Sequence, residues 1–220
     1  MFNSCVDAAW IRLLAPERTG VPLSELVNAV LNVDPLELLG LTSGLVCVWL
    51  LIKQNIWTFP IGLIYAVASV VVFTQQRLYA DVLLSGYYVL MNGYGWYYWV
   101  YGGQRTGSDN LPVGRISRNT SLTLIVLVAS ATMLMGWFFD TQTDADLAYW
   151  DSATTTMSFA AMWMTARKYI ENWILWLVVD VMLTVIYLYK GIEPYALLYF
   201  VYLAMAFMGW RAWQQTLQTA

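Results

Sequence analysis

The chain has no histidine among its 220 residues, only two cysteines, and charged side chains at 11% of positions. Each shortage excludes something. Without imidazole, zinc sites, general acid–base chemistry and rhomboid-like proteolysis lose their commonest residue. Cys5 and Cys47 lie in different environments, Cys47 within an apolar run, so no structural disulfide is expected. Lys and Arg number 11 against 14 Asp and Glu, a net charge of −3 with no basic cluster of the kind that follows phosphates. Nucleic acid is therefore not an expected partner, and nothing in the chain implies a metal or cofactor.

What is abundant is apolar surface. Hydrophobic residues make up 60% of the chain and aromatic residues 16%, including 12 Trp and 15 Tyr. No ordinary soluble domain could be given a polar shell from this composition, so an all-α integral membrane protein is expected. Crossing roughly 30 Å of hydrocarbon takes about 20 apolar residues per helix. Apolar windows fall at Leu36–Ile52, Ile56–Thr74, Tyr79–Tyr101, Ser121–Phe139, Trp150–Ala166, Trp173–Tyr189 and Tyr195–Trp213, which predicts seven transmembrane helices. The first 35 residues carry Asp7, Arg12, Glu17, Arg18, Glu25 and Asp34 and lack a basic start and a long apolar core, so no cleavable signal peptide is expected. Val21–Val33 has the pattern of an extra short amphipathic or partly inserted helix.

The chain also reads twice. Lys53-Gln-Asn-Ile-Trp57, Tyr79-Ala and Gly95-Trp-Tyr-Tyr-Trp99 recur as Arg167-Lys-Tyr-Ile-Glu-Asn-Trp173, Tyr195-Ala and Gly209-Trp-Arg-Ala-Trp213. Trp57 pairs with Trp173, and Tyr79 with Tyr195, at 116 positions; Trp49 pairs with Trp163, and the two Gly-Trp-x-x-Trp boxes pair, at 114. The predicted fold is two parallel three-helix repeats joined by a linker helix, three plus one plus three, the architecture of a transporter with a central substrate site. The expected divisions are an N-terminal segment over 1–35, a first repeat over 36–102, a loop and linker helix over 103–149, a second repeat over 150–214 and a tail over 215–220. The Gly-rich connection from Gly102 to Asn119 is expected to be mobile, and Gly40-x-x-x-Gly44 to mark close helix packing.

Basic residues set the expected orientation. Lys53, Arg105, Arg115, Arg118, Arg167, Lys168 and Arg211 fall on one face, against Arg12, Arg18, Arg77 and Lys190 on the other. Seven against four places the N-terminus outside and the C-terminus in the cytoplasm of a bacterial inner membrane.

Asp180 lies in the middle of the sixth span, between Leu177-Val-Val and Val181-Met-Leu. A carboxylate there costs at least about 2.5 kcal/mol on insertion scales unless something offsets it, so it marks a functional site or, on the plainer reading, a protonated packing group. Trp173, Trp176 and Asp180 recur at i, i+3 and i+7 on one stripe, with Asn172 beside them. Two indoles leading to a carboxylate suit a flat, positively charged heteroaromatic ring; interfacial anchoring is the plainer reading for the tryptophans. The matching helix of the first half starts at Trp57, carries no acid, and has Pro60 and Gly62, which can kink it. Ser85, Tyr88 and Asn92 form a polar stripe on the third span, suited to a sugar or to bonding between helices. Asp151, Thr155 and Ser158 form another on the fifth, where Asp151 is also a candidate helix cap. Ser43 or Ser158 could be proposed as a nucleophile, but no base accompanies them and the lysines sit only at span ends, so an enzyme is not expected. A lone membrane carboxylate could relay protons, which keeps a proton-coupled symporter as an alternative class.

Leu78-Tyr-Ala80, Tyr94-Gly-Trp-Tyr97, Trp150-Asp-Ser152 and above all Ala166-Arg-Lys-Tyr-Ile-Glu-Asn-Trp-x-x-Trp176 resemble the PnuC family of nicotinamide riboside transporters, over residues 36–214. The resemblance implies a fold akin to the SWEET sugar transporters and facilitated diffusion of an unphosphorylated vitamin precursor. A cytoplasmic kinase then traps that precursor, without any implied contact. It carries a binding role to Asn172, Trp173 and Trp176 and to Ser85 with its stripe. Two positions depart from the family pattern: many members have Gln where this chain has Ser85, and some have Asn where it has Asp180. Thiamine, and next riboflavin or a deoxynucleoside, are therefore alternatives to nicotinamide riboside. A homo-oligomer is compatible with the sequence, although no surface stripe specifies one.

Overall fold

In lipid a backbone must satisfy its own hydrogen bonds, and long apolar runs with short polar connections do so as helices. The computed structural model describes residues 35–75, 79–102, 111–143, 146–191 and 193–219. These residues form seven helices: α1 (Pro35–Ile52), α2 (Thr58–Gln75), α3 (Tyr79–Tyr101), α4 (Arg118–Gln142), α5 (Ala148–Ala166), α6 (Asn172–Tyr189) and α7 (Glu193–Thr219). The expected helix at Val21–Val33 and Cys5 lie outside the described residues. Cys47 is a free thiol that donates to the Thr58 carbonyl at 3.3 Å.

By length and composition alone, α2, α4, α6 and the Tyr195–Gln218 stretch of α7 can each cross a membrane. The other three carry polar groups that they bury: Ser43 on α1, Ser85 and Asn92 on α3, and Ser152, Thr154, Thr156, Ser158 and Thr165 on α5. Several of these hydroxyls are spent on the preceding turn, as Ser158 is on the Thr154 carbonyl at 2.7 Å. For α3 and α5 that inward polarity lowers the hydropathy, whereas α1 is apolar along the shorter stretch Leu39–Ile52.

Sequence neighbours other than α3 and α4 pack as helix pairs, and two further pairings close the bundle, α1 on α7 and α3 on α5. Among the described residues α4 packs on α5 alone, pinned by the Thr132–Thr156 hydroxyl pair at 2.7 Å. Ser117 caps α4 by accepting from the Thr120 N–H. Gly40 and Gly44 of α1 lie against Tyr65 and Tyr202, so the G-x-x-x-G does serve close packing.

α2 and α6 start and stop 114 positions apart, and α1 and α5 end at that same interval, at Ile52 and Ala166. The two ends are built alike. Gln54 and Lys168 both adopt left-handed backbone, φ 54° and 58°. Each donates its N–H three residues back, to Leu51 and Thr165, while the next N–H reaches five back, to Leu50 and Met164. This is the Schellman closure, normally made by glycine. Across the molecule the Trp99 indole donates to the Thr165 carbonyl at 3.3 Å and the Trp213 indole to the Leu51 carbonyl at 3.1 Å, one bond repeated with the partners exchanged.

That register corrects the 116-position pairing of Trp57 with Trp173. The residue matching Trp173 is Phe59. Phe59 presses on Gly95 and meets Trp99 edge-on at 4.9 Å, as Trp173 presses on Gly209 and meets Trp213 edge-on at 5.5 Å. Trp57 is 63% exposed, placed as an interfacial anchor would be. Pro60 falls in the first turn of α2, where its missing N–H costs nothing.

The buried core sits at the end of the bundle that carries Lys53 and Arg167, and unites Leu51, Ile52, Phe59 and Trp99 with Ile170, Trp173 and Trp213. Leu111 and Val113 join it, which corrects the expectation of a mobile loop for residues 111–117. Gly114 exchanges backbone bonds with the turn before α6, donating to the Lys168 carbonyl and accepting from the Ile170 N–H, both at 3.0 Å, and the Ile116 N–H donates to Glu171 at 3.1 Å.

Candidate substrate site

The stripe Trp173, Trp176 and Asp180 on α6 faces inward, but its members do different work. Trp173 is 1% exposed and wedged against Gly209, where a methyl group would fall inside the indole; it is a packing residue. Its own N–H has no partner among the described residues. Asn172 is fully buried and braces the turn, accepting from the Thr165 hydroxyl at 3.2 Å and donating to the Tyr169 carbonyl. Trp176, one turn deeper and half-buried, donates its indole N–H to the Thr165 hydroxyl at 3.2 Å.

Asp180 is 5% exposed. Its backbone carbonyl accepts from Thr184, and its carboxyl lies within electrostatic reach of Tyr199 and Tyr202 on α7. Among the described residues no basic side chain pairs with it; the one ion pair there joins Lys190 to Asp151 at 4.0 Å. A buried carboxyl without a basic partner is costly in an apolar span, which makes Asp180 a candidate site residue. Tyr199 also stacks on Tyr187 at 5.4 Å, and Tyr187 on Tyr195 at 5.1 Å. These tyrosines were legible as a stripe, Tyr195, Tyr199 and Tyr202 at i, i+4 and i+7 on α7, which the repeat pattern obscured.

On α3, Ser85 is buried, and Tyr88 lies within side-chain reach of Ser158 on α5. Asn92 donates to the Tyr88 carbonyl at 2.8 Å and lays its amide oxygen against Gly62 of α2, where only glycine leaves room. Asp151 is separated from this group: it stands in the first turn of α5, paired with Lys190, and the cap position belongs to Leu147. Thr155 is half-buried on the same helix. Trp57 lies at the surface, away from the stripe of α6. An outward-facing groove of about 370 Å³ lined by Gly93, Trp96, Tyr97, Val100 and Tyr101 includes none of these residues.

The basic end has its own electrostatics. Lys168 is buried, donates to the Leu111 carbonyl at 2.6 Å and lies 4.5 Å over the Trp99 ring. Burial lowers its ammonium to about 8. Arg167 stacks 4.4 Å over Tyr98 and donates to the Tyr94 hydroxyl at 3.2 Å, a bond that holds its guanidinium charged more firmly than usual.

Comparison with known proteins agrees with this frame. The nicotinamide mononucleotide transporter family model matches residues 34–215. The chain is 28% identical to the nicotinamide riboside transporter PnuC of Escherichia coli K12, over 81% of this chain and 84% of that one. It is 23% identical to the riboflavin/roseoflavin transporter RibM of Streptomyces davaonensis, over 80% and 83%. The crystal structure of the vitamin B3 transporter PnuC superposes with a TM-score of 0.68, covering 88% of this chain and 87% of that one at 22% identity, a likeness of fold. The chain is an integral membrane protein that belongs to the PnuC family of nicotinamide mononucleotide transporters.

Proposed function

We propose that this protein takes up nicotinamide riboside across a bacterial inner membrane by facilitated diffusion, and that intracellular phosphorylation then traps it. The observation that carries the reading is Asp180, buried at 5% exposure beside the stacking face of Trp176, with no basic partner among the described residues. A pyridinium ring stacked on an indole and neutralised by a carboxylate fits that arrangement. Ser85, Tyr88 and Asn92 on α3 are the polar groups assigned to the sugar, with Asn172 and Trp173 bracing the wall.

Alternating access follows from two three-helix units, 36–102 and 150–214, rocking about the exchanged Trp99 and Trp213 bonds, with α4 as the linker. The basic end, with Lys53, Arg115, Arg118, Arg167 and Lys168, is the cytoplasmic one. The site cannot bind one state far more tightly than the other without trapping its ligand. Thiamine is the second reading, because Asp180 selects a cation as such. Calorimetry on purified protein with nicotinamide riboside, thiamine and riboflavin tests this: strongest binding of the riboside supports the proposal. Binding of thiamine alone keeps the charge argument and replaces the substrate, and binding of neutral riboflavin alone removes both. Uptake into proteoliposomes that collapses with an uncoupler, no kinase being present, would instead favour a proton-coupled symporter.

A further inference from the structure

We propose that Thr165 is the positioning residue for the Trp176 indole and so sets substrate affinity without touching substrate; this rests on the stacking role given to Trp176. Thr165 is 3% exposed in the last turn of α5. Its hydroxyl has one proton and two lone pairs. It accepts the Trp176 N–H at 3.2 Å, while the Ala161 carbonyl at 2.9 Å and the Asn172 amide oxygen at 3.2 Å lie in reach of its proton. An indole anchored at its N–H edge keeps one ring plane, and a stacked ligand reads that plane.

The matching end of α1 shows why a threonine is needed. Leu51 occupies that place, and its carbonyl accepts from Trp213 as the Thr165 carbonyl accepts from Trp99. The backbone duty is thus met without a hydroxyl. The position on α2 that matches Trp176 is Gly62, with no indole to hold. The hydroxyl is present only in the half that has Trp176. The same residue ties α3 to α5 through Trp99, so the anchor of the stacking wall is also a point at which the two halves meet.

The test is nicotinamide riboside affinity, by calorimetry, for Thr165→Val, Thr165→Ser, Trp176→Phe and the Thr165→Val/Trp176→Phe pair. Thr165→Val should weaken binding by about tenfold, the scale of one stranded buried donor. Thr165→Ser should stay within about twofold of wild type, and Thr165→Val should add no more than about twofold in the Trp176→Phe background, where no N–H remains to be held. Wild-type affinity in Thr165→Val, or an undiminished tenfold loss in the Trp176→Phe background, overturns the proposal. Should Thr165→Val not yield folded protein, benzothienylalanine at position 176, which keeps the bicyclic face and lacks the N–H, should show the same loss; wild-type affinity there overturns the proposal equally. Trp176→Ala separates the two claims: if it binds like wild type, the stacking wall itself fails and takes the inference with it. A large loss there with none in Thr165→Val removes the inference alone.

Discussion

α2 and α6 hold matching places in the bundle, start and stop 114 positions apart, and yet line it differently. Down the inward face α2 offers Phe59, Gly62 and Ala66, and α6 offers Trp173, Trp176 and Asp180. The first pair is structural on both sides, each ring pressed on a glycine and edge-on to a tryptophan. One turn deeper the bulk changes sides: Asn92 of α3 fills the space at Gly62, whereas α6 supplies Trp176 and α7 has the small Ala206. At the third place α2 has a buried alanine, Ala66, where α6 has a buried aspartate, Asp180. Matching places on α2 and α6 therefore carry the carboxyl and the half-buried indole once, on α6 alone.

The comparison breaks most severely at its shared part. Trp173→Ala should cost about 3–5 kcal/mol, and Phe59→Ala a similar amount, both read as loss of thermal stability in detergent. If only one of the two destabilises, the halves are not equivalent supports. Next, Trp176→Ala should weaken nicotinamide riboside by roughly 10–100-fold, the range of a stacked base, with thermal stability moved much less. A smaller effect is expected at Lys168, whose ammonium is lowered to about 8 from its ordinary 10.5. A lysine lowered on folding binds more protons when unfolded between those values, so stability contributed there rises with pH across that window and is flat below it. Melting followed from pH 7 to 10 should show wild type gaining on Lys168→Met; a constant difference would mean the lysine is not desolvated. The smallest effect is at α4: Thr132→Val, which removes the hydroxyl pair joining α4 to α5, should cost about 0.6 kcal/mol, with uptake unchanged.

Much of this frame was legible in the residues. The two Gly-Trp-x-x-Trp boxes, with Trp49 and Trp163, mark the 114-position interval that the helix ends share, and Asp180 stood out because a carboxylate is costly in an apolar run. Trp57 misled because it resembles Trp173 in type and in its place beside a polar turn, while the true counterpart is a phenylalanine that shares only its job. The exchanged indole bonds were beyond reach, since each ends on a backbone carbonyl, 66 or 162 residues away, that no side-chain pattern announces. The docking of residues 111–117 is likewise made largely by backbone groups, and a Gly- and Pro-containing connection reads as loose until its partner turn is in view. Asn172 and Trp173 were read as substrate-binding residues, and their bracing contacts were not legible because these depend on Thr165 and Gly209 from other helices.

The most direct test of a scaffold built twice with charge on one side is binding of nicotinamide riboside and its neutral dihydro form to wild type and to Asp180→Asn. Wild type should favour the cation, and the variant should lose about tenfold or more on the cation while holding the neutral form within about twofold, the mark of a charge-assisted contact. Equal loss for both ligands would contradict the account and leave Asp180 a packing residue.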